Sequence, residues 1–252
     1  MILIKIKTPE EIETMRRNGA LLASVLDEVC SKVAPGVSTA SLDRLAEELI
    51  RREGASPAFK GYHGFPATLC TSINEEVVHG IPSEDRLLHE GDILSIDIGL
   101  VRDGYYADMA TTVPVGQIGE VAEHLLSTTE ESLWRGIKQV KIGNRLSDIS
   151  HTIGSYVESE GLFVVKEYVG HGIGKDLHED PQIPNYGPPG RGPRLRVGMV
   201  FAIEPMVKTD PAPTRVLDDG WTVVTGTGGL AAHFEHTVAL TERGVEILTI
   251  RR

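Results

Sequence analysis

Asp92-Ile-Leu-Ser-Ile-Asp97-Ile-Gly99-Leu-Val-Arg-Asp103-Gly104-Tyr105-Tyr-Ala-Asp108-Met-Ala-Thr-Thr-Val113 decides how the rest of the chain is read. Two β-rich runs flank Asp103-Gly104. Asp-Gly between such runs signals a tight hairpin, because both turn positions need residues that tolerate positive φ. With Asp103-Gly104 as a two-residue turn, Asp97 faces Ala110. Asp108 then lies two positions along the partner strand, on the same face as Asp97, with diagonal Cα atoms about 7–8 Å apart. A turn one residue earlier sets the two aspartates directly opposite. Either register gives two like charges on one face, and Asp97 stands between Ile96 and Ile98. Unpaired carboxylates facing a core cost several kcal/mol, and like charges add to that cost. Either cations neutralise the pair or one member is protonated.

The 252 residues carry 25 Lys+Arg against 36 Asp+Glu, a formal net charge of −11. That balance argues against a dedicated nucleic-acid binder, which needs a basic stripe. The two cysteines, Cys30 and Cys70, make neither a disulfide framework nor a Cys-based zinc site. No apolar run approaches the ~20 residues that span a bilayer. The opening Met1-Ile-Leu-Ile-Lys-Ile-Lys7 is too short and alternating for a secretory signal. A cytoplasmic chain with reduced thiols is expected.

Upstream, Thr8-Pro9-Glu10-Glu11 predicts a capped helix start, followed by Ile12, Met15, Leu22, Val25, Leu26 and Val29 on one face. Ala34-Pro-Gly36 breaks that helix, and a second one with Leu42, Leu45, Leu49 and Ile50 on one side ends at Gly54. Val33…Gly36…Leu42…Ile50…Glu53-Gly54 lines up with Val140…Gly143…Ile149…Val157…Glu160-Gly161, about 107 residues later. The chain therefore reads as two related halves, each a helix pair on strands, with a site between them. Further β-rich stretches cover Met199–Val207, Trp221–Thr225 and His233–Leu248, separated by Pro/Gly-rich segments such as Pro184–Pro193.

The acidic pair has company. Glu204 ends an apolar strand just before Pro205, Glu235 sits among strand-like residues, and His171 lies in Gly170-His-Gly-Ile-Gly174, where missing side chains allow close approach. Each alone is an ordinary structural residue. Together they form an oxygen-rich set with one imidazole, suited to Mn, Fe, Co, Zn or Mg. Four carboxylates balance two divalent ions, as in a two-metal hydrolytic site. Gly226-Thr-Gly228-Gly-Leu-Ala231 matches a dinucleotide fingerprint, but β-rich sequence follows it instead of a helix. It reads as a turn into the Glu235 strand. Gly170–Gly174 is no phosphate loop, because no Gly-Lys-Ser/Thr follows.

The sequence resembles type I methionine aminopeptidase almost end to end. The resemblance rests on Gly61-Tyr-His-Gly-Phe-Pro66, Ser72-Ile-Asn-Glu-Glu-Val-Val-His79-Gly-Ile-Pro82, Gly91–Asp97, Asp103–Asp108, Gly170–Gly174, Gly198-Met-Val-Phe-Ala-Ile-Glu204-Pro-Met206 and Phe234-Glu235-His236-Thr237. It implies a pita-bread α+β fold, with two pseudo-twofold halves and helices packed on a curved antiparallel sheet. One catalytic domain would span 1–252, its halves roughly 1–118 and 119–252. It also implies removal of the N-terminal methionine when the second residue is small.

By the same resemblance Asp97 and Asp108 bind metal, Asp108 bridging; His171 and Glu204 bind one ion, and Glu235 bridges both. The cofactor would be two divalent ions, Co, Mn, Fe or Zn. His79 and His178 would be active-site histidines that are not ligands, and Glu204 a proton shuttle. Tyr62, Phe65, Cys70 and Trp221 would line the methionine side-chain pocket. Phe65 stands where relatives often have Tyr, and Leu177 where some have an aromatic. The short Pro184–Pro193 loop leaves no room for the type II insertion, and the chain begins close to the catalytic domain. Expected partners are N-terminal Met peptides and nascent chains, with no DNA, no membrane and a monomeric state; Arg191, Arg194 and Arg196 form one local basic loop, which reads first as a solvated loop and second as a transient ribosome contact. An Xaa-Pro aminopeptidase or prolidase, which usually carries an extra N-terminal domain, and a metal-free binding module that has lost its ligands are the competing readings. His63, His89, His124, His151, His233 and His236 receive no chemistry, though His63 and His236 lie near the site in sequence.

Overall fold

The computed structural model describes residues 4–250, so part of the N-terminal alternating run lies outside the described residues. Its first helix, α1 (Pro9–Cys30), begins as its sequence requires. Thr8 Oγ1 accepts from the Glu11 N–H, and the Glu11 carboxylate accepts from the Thr8 N–H. These two bonds satisfy donors that a helix start otherwise leaves orphaned. α2 (Thr39–Arg52) is capped by Ser38, whose hydroxyl accepts from the Ser41 N–H. In the second half α3 (Glu120–Ile137) and α4 (Leu146–Ser159) repeat the pair.

The repeat extends to the backbone. Gly36 and Gly143, between the helices of each pair, have φ of 86° and 93°; Gly54 and Gly161, after each pair, have 70° and 76°. Ser38 and Arg145, which precede α2 and α4, each make an isolated bridge, to Leu87 and Arg194 respectively.

Among the described residues, nine strands form one curled sheet in which every pairing is antiparallel. The expected hairpin is its spine: strands Ile93–Arg102 and Tyr105–Pro114 pair over their whole length, with Arg102 opposite Tyr105 and Asp97 opposite Ala110. Asp103 and Gly104 both have positive φ, 52° and 76°, so the two-residue turn is the register adopted. The halves meet where Glu235 and His236 of strand Glu235–Thr241 pair with Ala110 and Met109. That strand continues to Val200–Ile203, then to Gly170–Gly172 and Glu179–Ile183.

Strand alternation separates core from site. Leu94, Ile96, Ile98 and Leu100 are fully buried against Leu22, Leu26 and Val29 of α1 and Leu42 and Ile50 of α2. Phe201, Ile203, Val238 and Leu240 do the same against α3 and α4 residues such as Leu125, Leu133, Ile149 and Ile153. Burying each such side chain contributes about 1.5–3 kcal/mol. Helices therefore cover one face of the curl, and residues of opposite parity point into its concave face. As the sequence leads one to expect, the β-rich run Met199–Val207 breaks at Glu204: Pro205 has no N–H for the ladder, and strands Val200–Ile203 and Met206–Lys208 stand on either side.

Candidate metal centre and active site

Directly paired residues in an antiparallel sheet point to the same face. Cys70 pairs with Asp97, Asp97 with Ala110 and Ala110 with Glu235, so one row across four strands carries a thiol, two carboxylates and a methyl between them. Asp108, two residues before Ala110, shares that face. Glu204 enters from the strand break, and His171 from strand Gly170–Gly172, where it pairs with Ala202. The five line one cavity of about 300 Å³.

Two threonines fix the backbones beneath. The Thr237 hydroxyl donates to Asp108 O at 2.7 Å and accepts from the Asp108 N–H at 3.3 Å. The Thr112 hydroxyl likewise donates to His233 O at 2.8 Å and accepts from the His233 N–H at 2.9 Å. Since Thr112 has spent its proton, the Ser95 hydroxyl, 2.8 Å away, is the donor in that pair.

His171 Nδ1–H donates to Gly172 O at 2.9 Å, so the lone pair of Nε2 faces inward, 3.4 Å from Glu204 Oε1 and 3.9 Å from Asp108 Oδ2. His233, which sequence reasoning left without a role, is 2% exposed and brings Nε2 to 3.6 Å from Glu204 Oε2 and 3.9 Å from Glu235 Oε2.

The electrostatics are those of a site whose carboxylates have no cationic side chain to pair with. Burial raises the Asp97 carboxyl to about 7; Glu204 adds to the rise, while His233 and the Ile98 N–H oppose it. Burial also holds Asp108, Glu204 and Glu235 well above the carboxylate range, and the neighbouring carboxylates push Asp108 and Glu235 further. Burial brings His171 down to about 3, with His178 adding to it, and lowers His233 against the pull of Asp97. Asp97 Oδ1, Asp108 Oδ1, Glu235 Oε1 and His233 Nε2 are buried without a hydrogen-bond partner. No Lys or Arg stands among the described residues lining the cavity. Orphaned acceptors of this kind fit divalent ions, and the groups Asp108–His171–Glu235 and Glu204–His233–Glu235 can each hold one.

Beside the carboxylates the same cavity is apolar. Tyr62, Phe65, Cys70 and Trp221 all line it, with the Phe65 and Trp221 rings edge to face at 5.2 Å. Leu177 lines it too. Phe59, His63, Val78, Tyr168, Val169 and Met206 complete the lining, and sequence reasoning named none of these as pocket residues. They arrive from strand ends, a short helical turn and loops scattered along the chain, and share no spacing that could have announced them. His79 has φ of 61° and packs edge-on against Tyr168 and Trp221. Burial lowers it to about 4, with His233 and His178 adding to that. His178 Nδ1 lies 2.8 Å from Tyr62 Oη, and its ring centroid is 4.4 Å from that of His171. His236, adjacent to Glu235, points the other way, to Thr249 and Trp134. The Gly226–Ala231 segment leads into strand Ala231–His233 and not a helix, in keeping with a turn.

The chain belongs to metallopeptidase family M24, whose family model matches residues 13–242. It is 55% identical over 248 residues to "Methionine aminopeptidase" of Clostridium acetobutylicum, covering 98% of this chain and 99% of that one. "Methionine aminopeptidase 1" of Bacillus subtilis is 54% identical over 247 residues, covering 98% and 99%. The crystal structure of methionine aminopeptidase from Thermotoga maritima superposes with a TM-score of 0.97 at 48% identity, covering 99% of this chain and 100% of that one. The sheet is thus the pita-bread fold, and within the family the chain falls in the methionine aminopeptidase branch, as a metal-dependent aminopeptidase.

Proposed function

We propose that the chain removes N-terminal methionine from peptides and nascent proteins whose second residue is small, and that Asp97, Asp108, His171, Glu204 and Glu235 hold the two divalent ions it needs. The observation that carries this reading is the joining of four unneutralised carboxylates to one apolar, aromatic pocket in a single cavity. Two ions in that ligand set supply Lewis acidity toward a carbonyl and make a water acidic enough to lose its proton near neutral pH.

The side chains do the rest. Glu204 lies at the cavity wall, beyond the end of its strand, so it suits the task of taking a proton from the attacking water and passing it to the leaving amine. When the Tyr62 hydroxyl donates to His178 Nδ1, the Nε2–H of His178 is left to donate to the developing oxyanion. His79, kept neutral by burial, can donate one hydrogen bond to the substrate backbone. Tyr62, Phe65, Cys70 and Trp221 offer an unbranched thioether an apolar slot. Such slots discriminate by roughly 1–3 kcal/mol per methylene. The pocket ends against the carboxylates, which sets the first peptide bond beside them; the preference for a small second residue is carried over from the family resemblance.

The whole chain acts as one catalytic unit in this proposal, with halves of about 1–118 and 119–252. It works as a monomer in the cytoplasm, where new chains present their first methionine, and the exposed Arg191, Arg194 and Arg196 supply a transient ribosome contact.

The test is turnover by the purified chain, stripped with chelator and reloaded with single metals. Met-Ala-Ser should be cleaved only after reloading. Cleavage of Ala-Pro peptides in preference to Met-Ala, or full activity in verified metal-free protein, would overturn the reading.

A further inference from the structure

We propose that His233 is also a metal ligand, its Nε2 completing the coordination of the ion held between Glu204 and Glu235 and giving the centre a second imidazole beside His171. The inference rests on the two-ion reading above and extends it.

Four observations carry it. His233 Nε2 is buried, faces the cavity and has no hydrogen-bond partner. It lies 3.6 Å from Glu204 Oε2 and 3.9 Å from Glu235 Oε2, too far for a hydrogen bond to either carboxylate. Glu204, His233 and Glu235 each offer one donor atom within a common 4.8 Å, the same closeness found in Asp108, His171 and Glu235, so Glu235 stands between two nitrogen-bearing groups. Finally, the reciprocal bonds to Thr112 fix the backbone of His233 in the same way that Thr237 fixes the backbone of Asp108.

A buried imidazole nitrogen without a partner is costly in a purely structural role. A neutral imidazole adds a donor without disturbing the balance of four negative charges against two dications. It also changes the character of the site. Imidazole suits Fe, Co, Ni and Zn, whereas an all-oxygen set suits Mg and Mn. With two imidazoles the centre should favour the first group.

The full chain loaded with two equivalents of Co(II) tests this. X-ray absorption should count two imidazole nitrogens per protein in the wild type, and one in His233→Ala and His233→Gln. Calorimetry should show one Co(II) site weakened by about tenfold or more in both variants, because loss of even an outer partner typically costs 10–100-fold. Mn(II) affinity should fall less. A wild-type count of one imidazole, or variants with unchanged count and affinity, would overturn the inference and leave the two-ion reading intact. Failure of the wild type to take up a second equivalent would overturn both. If either variant fails to fold, the wild-type count decides alone.

Discussion

Asp97 sits between Ile96 and Ile98, and both isoleucines are fully buried on the opposite face. An isolated carboxylate there costs several kcal/mol, and it is tolerated because the cavity face supplies a reason for the charge. The same logic separates two aspects of the site at single-residue resolution. Asp108→Asn removes a negative oxygen that the neighbours cannot replace, so metal content measured by mass spectrometry should fall together with turnover. His79→Ala removes a donor that touches no carboxylate, so turnover should fall by about 10²–10³-fold while metal content stays at the wild-type level. Loss of metal in the second variant would make His79 a ligand. Asp97, Asp108, Glu204 and Glu235 were legible from the sequence because a carboxylate in an apolar strand is conspicuous by its cost. His233 was not. A lone His before a strand carries no such anomaly, and the contact that fixes it, Thr112, is 121 residues away in the chain.

At the scale of elements, the two helix pairs follow one backbone plan with different side chains. Gly36 and Gly143 occupy the left-handed region at matched positions, and nothing lies within 4 Å of where a Cβ would stand on either. Gly36→Ala and Gly143→Ala should therefore each cost about 1–2 kcal/mol through backbone strain alone, with no change in the metal centre. Denaturant midpoints would check this; a stabilised variant in either position would refute the common geometry. These breaks, the Thr8 capping box and the Asp103-Gly104 turn could be read locally, because each depends on φ and on partners within a few residues. The end of the strand at Glu204 was legible too, because Pro205 has no N–H to give the ladder. The sheet order was legible only as far as the hairpin. The pairing of Glu235 with Ala110 joins strands far apart in sequence, and only the folded curl specifies it.

For the whole molecule, the raised carboxyls set a pH dependence that ion binding removes. A carboxyl whose folded pKa lies above its unfolded value holds more protons in the folded state, so its stability contribution is lost as pH rises through the folded value. The lowered histidines work in the opposite sense, but only below their unfolded pKa of about 6.5. Above that pH the carboxyls act alone. With Asp97 near 7 and Asp108, Glu204 and Glu235 also raised, chelated protein should lose thermal stability between about pH 6.5 and 8. Metal-loaded protein should hold a level Tm over the same range. A chelated sample with a level or rising Tm would show that the carboxyls are neutralised from within the fold.

Ala110 looks the least chemical of the residues in that row, yet it stands at the only step between Asp97 on one side and Glu235 on the other. Its side chain is buried and is the smallest, apart from glycine's, that could stand between two carboxylates on one sheet face. A valine or leucine would preserve the strand, the charges and every proposed donor, and would set its extra carbons between Asp97 and Glu235. Inactivation of such a variant would therefore be a failure of spacing, with the toolset complete and its parts held apart.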